Sequence, residues 1–292
     1  MEVVINMSDQ TKYTIKKDSK NIKDYLYGDR HTPLTNLPSS INLAPKCSPV
    51  VDQGELGSCS ANSIVSGLRE YILINDEKKS LVRLSRLFVY WWERYIQGTV
   101  NIDSGASLRD GMKILCKYGV CTEKTDPYDI TKFTEKPSDE EMQEALNYRI
   151  SGYQRLNTLE EIKDALYHGH IAVFSMELYE SFKSEEVCKT GMVPLPGENE
   201  VKLGGHSMCI VGYDDDLENG CFIVRNSWGA EWGQEGYCFI PYDMMQYFMD
   251  AWTVQYGKKY LSDYFYQFVN FIGFIRKKIS YYIKLKIKKT TI

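Results

Sequence analysis

The stretch "DQGELGSCSANSIVSGLREY", residues 52–71, places a single cysteine between a Gly/Ser-rich turn and a helical pattern. Four uses are open to Cys59 there: half of a disulfide, a metal ligand, a buried apolar filler, or a nucleophile. Each makes a different demand on the rest of the chain.

A disulfide needs an oxidising compartment. The N-terminus, "MEVVINMSDQ", carries Glu2 and no apolar run of signal-peptide length, so routine secretion is not expected and an intracellular location is. Most of the eight cysteines (Cys47, Cys59, Cys116, Cys121, Cys188, Cys209, Cys221 and Cys238) are accordingly expected to be reduced. Cys209, Cys221 and Cys238 lie in strand-like runs, where cysteine acts as a small apolar residue. A zinc site needs clustered ligands, and His31, His168, His170 and His206 show no such spacing with the cysteines. No metal and no other cofactor is expected.

With 292 residues, 43% hydrophobic and 25% charged, the chain has the balance of a soluble globular protein and ample material for a core. No run of about 18 apolar residues appears, which argues against a conventional transmembrane helix. Residues 1–36 are polar and Lys-rich and read as an extended arm. Helical patterns follow in "SCSANSIVSGLREYILI", "SRLFVYWWERYIQG", "SLRDGMKILCKYG" (stopping at Gly119), "SDEEMQEALNY" and "TLEEIKDALYHG" (closing on Gly169). Short apolar runs then take over: "IAVFSMEL", "HSMCIVGYDD", "GCFIVRNSWG" and "EGYCFIPYD" are read as strands. A helical first half and a sheet-rich second half predict an α+β protein of two lobes with a cleft between them.

The formal net charge of −4 hides an asymmetry. Residues 257–292 hold nine Lys/Arg against one acid, Asp263, whereas the other 256 residues hold 26 basic and 38 acidic side chains. Leu261, Phe265, Phe268, Ile272, Ile275 and Ile279 form one helical stripe in this tail, followed by "RKK" and "IKLKIKK". An apolar aromatic face backed by basic residues suits an anionic membrane or particle surface, such as that of a virion. Packing of the helix onto the body is the plainer alternative, and a nucleic-acid partner is not expected.

A cysteine at a helix start has unpaired backbone N–H groups and the aligned peptide dipole to favour its thiolate. Gly54 and Gly57 allow a tight turn before it. Gln53 is placed to aim an amide donor where an oxyanion would form. The nucleophile then needs a base and a group to orient that base. His206 enters an apolar strand behind two glycines in "LGGHSMCIVGYDDD", and Asn226 ends the next strand in "FIVRNSWGAEWGQEGY". The Asn carbonyl would hold the imidazole facing Cys59, and Trp228 would lie over that hydrogen bond.

These residues resemble a papain-family (C1) cysteine peptidase, of the cathepsin-like kind found in bacteria and large DNA viruses. The resemblance runs from about Leu37 ("LPSSINLAPKCSPVVDQGELGSC") to about Val254, with further blocks at "SGASLRDGMKILCKYGVC", "GGHSMCIVGYDD" and "RNSWGAEWGQEGY". It implies a two-lobe fold with a helical N-terminal lobe and an antiparallel β-barrel-like C-terminal lobe. It also implies that Gln53, Cys59, His206 and Asn226 are oxyanion donor, nucleophile, base and orienting residue. Ser104, Gly105, Gly205 and Trp228 are then expected to line the substrate site. The family's C-G-S-C-W reads Leu56-Gly57-Ser58-Cys59-Ser60 here. Neither half of the disulfide that the family forms at that first cysteine is present, as suits a reduced compartment.

A lone buried cysteine is usually structural, and a lone histidine in a strand is usually a satisfied core residue. Their occurrence together with Gln53 and "NSWGxxWGxxGY" in this order reverses both readings. Polypeptide substrates follow, cleaved through an acyl-enzyme by a monomer. Dipeptide trimming of the cathepsin B kind needs a histidine-bearing loop that is not seen near 150–165 or 185–200, so an endopeptidase is expected. The competing class is a catalytically silent homologue kept for binding or virion structure. Residues 1–36, shorter than the family's usual prosegment, are expected to lie on or near the cleft and restrain activity.

Overall fold

The computed structural model describes residues 13–255. The remainder of the arm, residues 1–12, and the expected membrane-binding tail lie outside the described residues. Among the described residues, no helix is long and apolar enough to cross a membrane.

The quoted cysteine begins the central helix. It starts as α1 (Cys59–Ala61), widens to i→i+5 hydrogen bonding over Asn62–Arg69, and returns to α geometry in α2 (Glu70–Asn75). Such π-type stretches are uncommon and concentrate at functional sites. Ala61, Ile64, Val65, Leu68 and Leu73 are all buried, so this helix is enclosed rather than amphipathic at a surface. Helix α3 (Arg86–Gln97) is capped by Ser85, whose side chain accepts from the Phe88 N–H, and ends at Gly98 with φ 71°. Helix α4 is Leu108–Lys117. Ser138/Glu141 and Thr158/Glu161 form reciprocal capping boxes that start α5 (Asp139–Ala145) and α6 (Leu159–Tyr167). A short α7, Glu185–Thr190, follows within the second half.

The strands are β1 (Ser40–Asn42), β2 (Tyr153–Arg155), β3 (Ala172–Tyr179), β4 (Lys202–Asp214), β5 (Cys221–Arg225), β6 (Tyr237–Pro241) and β7 (Phe248–Val254). They form one antiparallel sheet in the order β2-β7-β3-β4-β5-β6, with β1 paired to β4. The barrel-like closure expected from the family resemblance is not formed: the sheet stays open. Its two end strands are covered by other segments, which removes the drive to close. On β2, Arg155 pairs with the arm through Tyr27 N–H to Arg155 O and Arg155 N–H to Tyr25 O, at 2.9 and 2.8 Å. On β6, Phe239 exchanges bonds with Gly191 and Val193 at 2.8 and 3.0 Å.

The central helix reaches the sheet at β4. Gly67 lies against the Cys209 sulfur so closely that a Cβ at this position would overlap it, and the Cys209 thiol donates to the Ser63 carbonyl. Gly67→Ala is therefore expected to destabilise the fold by about 1–3 kcal/mol through overpacking, with part of the loss restored when Cys209→Ala is added. Chemical denaturation of the two single variants and the double variant measures this coupling; strictly additive losses would contradict the contact.

Candidate active site

The turn carrying Cys59 is fastened to the end of β5. Gln53 N–H donates to Ser227 O at 2.9 Å, and Gly229 N–H to Val51 O at 3.1 Å. Ser227 Oγ donates to Gln53 Oε1 at 2.7 Å, and Gln53 Nε2 donates one hydrogen to Leu56 O at 3.0 Å. The second amide hydrogen remains for another acceptor. Below the turn, Arg86 stacks its guanidinium 3.6 Å from the Tyr128 ring centre and donates to Asp52 O and Asn62 Oδ1, each at 2.9 Å. Tyr128 Oη donates to Gln53 O at 2.9 Å.

On the sheet side, β4 and β5 run antiparallel with Cys209 opposite Arg225. The residues just past β5 therefore come alongside the start of β4, where His206 sits. His206 Nε2 lies 2.8 Å from Asn226 Oδ1. Because an amide oxygen can only accept, this pair assigns the proton to Nε2 and leaves Nδ1 as the basic atom. Nδ1 has no hydrogen-bond partner. The Trp228 ring lies 4.8 Å from the imidazole, tilted by 31°. Cys59, Gln53 and His206 are each 0% exposed and Asn226 is 2% exposed.

Backbone N–H groups of Ser207, Ser60 and Cys59 itself act on the Cys59 sulfur and favour its thiolate. Complete burial outweighs them and pushes the thiol up to about 12. Burial also pulls His206 down to about 4, partly offset by the bond to Asn226. In this closed state the pair is thus neutral thiol and neutral imidazole.

The arm provides the cover. Gly205 N–H donates to Tyr13 O and Ile15 N–H to Gly205 O, at 3.2 and 3.3 Å, while Lys16 N–H donates to Ala106 O at 2.8 Å. The Tyr13 ring meets His206 and Trp228 edge-on at 6.3 and 6.1 Å. Thr14 fills the space over Gly57 and Gly105, and Gly105 holds φ 65°. Glycines at 105 and 205 thus let a foreign strand lie directly on their backbone. Ser104, by contrast, turns into its own loop, bonding Thr99 Oγ1 at 2.7 Å and Gly105 O at 3.0 Å.

Further along, the arm is latched. Arg109 on α4 holds Asp24 through two bonds of 2.9 and 2.7 Å. Asp18 accepts from Arg109 N–H and Trp252 Nε1, at 3.1 and 3.0 Å, and donates its own N–H to Asp250 at 2.7 Å. Arg155 pairs with Asp250 at 2.5 Å.

Comparison with known proteins places the fold in a family. Residues 37–252 fit the model of the family described as papain family cysteine protease. The chain belongs to the papain family. An uncharacterized peptidase C1-like protein of Acanthamoeba polyphaga mimivirus is 35% identical over 264 residues, covering 85% of this chain and 84% of that protein. Chymopapain of Carica papaya is 27% identical over 70% of this chain, which spans 55% of its length. Among solved structures, xylellain, a cysteine protease from Xylella fastidiosa, has a TM-score of 0.76 at 34% identity, covering 85% of this chain and 97% of its own. The digestive procathepsin L 3 of Tenebrio molitor larval midgut, at 18% identity and a TM-score of 0.63, shares the fold. The chain is a papain-like cysteine peptidase, and the family acts on polypeptides.

Three participants escaped the sequence reading. Ser227 orients the Gln53 amide, Tyr128 supports the turn from below, and Glu93 accepts from Ser60 Oγ at 2.7 Å. Ser227 lies inside the quoted "NSWG" motif, Glu93 stands out as an acid in the strongly apolar run "LFVYWWERY", and Tyr128 left no trace.

In the full chain His206 is expected to stay neutral down to about pH 4. Below its ordinary value near 6.5, the closed form resists a proton that an exposed imidazole would take up. NMR titration of the imidazole carbons checks this; a His206 midpoint near 6.5 would contradict its enclosure.

Proposed function

We propose that the chain is a cysteine endopeptidase using Cys59, His206 and Asn226, with the described part of the arm holding it in a latent state. The observation that carries the reading is the buried His206–Asn226 pair beside a helix-start cysteine. It leaves Nδ1 as the base and has Trp228 shielding it from water.

In the reaction, His206 Nδ1 takes the Cys59 proton. The sulfur then attacks a peptide carbonyl, and the free Gln53 amide hydrogen and the Cys59 N–H hold the oxyanion. The imidazolium protonates the leaving amine, and water hydrolyses the thioester with the same imidazole as base. Gly105 and Gly205 hold the substrate backbone, and Trp228 borders the leaving-group side. Ser104 serves this site by holding the loop of Gly105.

The leaving amine must lie towards His206, so the acyl half of a substrate extends towards Gly105. The arm runs the other way, with Tyr13 beside His206 and Lys16 beside Ala106. A strand of reversed polarity fills the cleft without presenting a peptide bond in the productive sense. The contacts of Asp18 and Asp24 with Arg109, Arg155 and Asp250 keep it there.

The decisive experiment is hydrolysis of unfolded protein or fluorogenic peptides by variants. Cys59→Ala and His206→Ala are each expected to abolish turnover, and Asn226→Ala to reduce it less. Gln53→Ala should lower kcat by roughly 10²–10³ through one lost oxyanion donor. Full turnover in Cys59→Ala would end the reading.

The latch has its own test. Each charged hydrogen bond lost in Asp24→Ala contributes about 1.5–3 kcal/mol to the closed state. This variant is expected to raise kcat/KM by roughly tenfold or more. A folded Asp24→Ala protein with unchanged kcat/KM would show that the arm does not limit access.

A further inference from the structure

Ser60, next to the nucleophile, stands where the family resemblance places a tryptophan, and its side chain has a definite partner. Ser60 Oγ donates to Glu93 Oε2 at 2.7 Å, and both residues are 0% exposed. The other carboxyl oxygen, Oε1, has no hydrogen-bond partner. It packs against Gly111 of α4, where any Cβ would collide with it, and beside Ile64 of the central helix. The adjacent cation, Arg94, turns its guanidinium to the carbonyls of Tyr90, Val100 and Phe133.

An enclosed carboxylate with one neutral donor and no paired cation is costly, so the group keeps its proton. Burial is the largest cause holding Glu93 well above the usual carboxylate range. Asp110 on α4 and Asp18 on the arm act in the same direction, while Ser60 and Arg94 act against it. Glu93 in turn acts on Cys59, where a negative charge on it disfavours the thiolate. Like charges in a dry interior disfavour one another.

We propose that Glu93 is a positioning residue for Cys59: as an uncharged acid it holds the first helical turn through Ser60, and a charge placed on it switches the nucleophile off. The inference rests on the reading of Cys59 as the nucleophile. During catalysis the thiol proton moves to His206 Nδ1 and Glu93 retains its own. The Ser60–Glu93 pair then makes the alkaline limb of activity depend on a second proton besides that of the imidazolium.

The test compares the full chain with Glu93→Gln and Glu93→Ala. Glutamine keeps an acceptor for Ser60 and cannot ionise, so its alkaline limb of kcat/KM is expected to shift to higher pH than that of the full chain. Glu93→Ala leaves Ser60 without its acceptor and should lose rate at every pH. The infrared difference between wild type and Glu93→Gln at neutral pH should show a protonated-carboxyl band. Superimposable alkaline limbs, with Cys59→Ala inactive, would overturn this inference alone, as would carboxylate bands in the difference spectrum. Full turnover in Cys59→Ala would overturn the peptidase reading and this inference with it.

Discussion

The hydrogen bond between His206 Nε2 and Asn226 Oδ1, 2.8 Å long and shut away from water, is the constraint around which the site is arranged. It fixes one tautomer of an imidazole that in solution would populate two. The sheet exists in the right form to make it: β4 and β5 pair so that the residue following β5 lies beside the beginning of β4. The same segment then reaches across to the Gln53 turn through Ser227 and Gly229. One stretch after β5 thus orients the His206 imidazole, the Gln53 amide and the turn that starts the helix of Cys59.

Enclosure makes that arrangement sensitive to its cover. With Tyr13, Thr14 and Ile15 in place, desolvation outweighs the backbone dipoles aimed at the sulfur, and the pair is neutral. Removal of the cover restores water to one side and leaves those dipoles unchanged. Latency in this account needs no distortion of the catalytic residues. On the proposed reading, the arm both fills the cleft and removes the dielectric that ion-pair formation requires.

Much of this was legible in sequence because the signals were local. Ser138-x-x-Glu141 and Thr158-x-x-Glu161 announced helix starts that appear as reciprocal caps, and the runs at 171–178, 206–215 and 220–229 overlap β3, β4 and β5. His206 meets Asn226 and Trp228, and Gln53 is tied to Ser227 in the same segment after β5. What escaped depends on partners distant in sequence. The short β1 and β2 hold only three residues each and have no period to read. The strand β7 lies in "FMDAWTV", whose inward Asp250 breaks the apolar pattern because it belongs to the arm latch. The π-type widening after Ala61 has no sequence signature at all. Neither does the open sheet, since its ends are covered by the arm and by the segment at 191–193.

The central claim is that Cys59 is chemically distinct because of its surroundings, against its exposure. Among the eight free cysteines, Cys47 and Cys116 are half-buried, while Cys59 and the other five are buried. Treatment of the Asp24→Ala protein, in which the arm is released, with a peptidyl epoxide, followed by mass mapping of all eight sites, separates the two influences. The account predicts modification at Cys59 alone, abolished by His206→Ala. Labelling that follows exposure, with Cys47 and Cys116 first and Cys59 untouched, would contradict it.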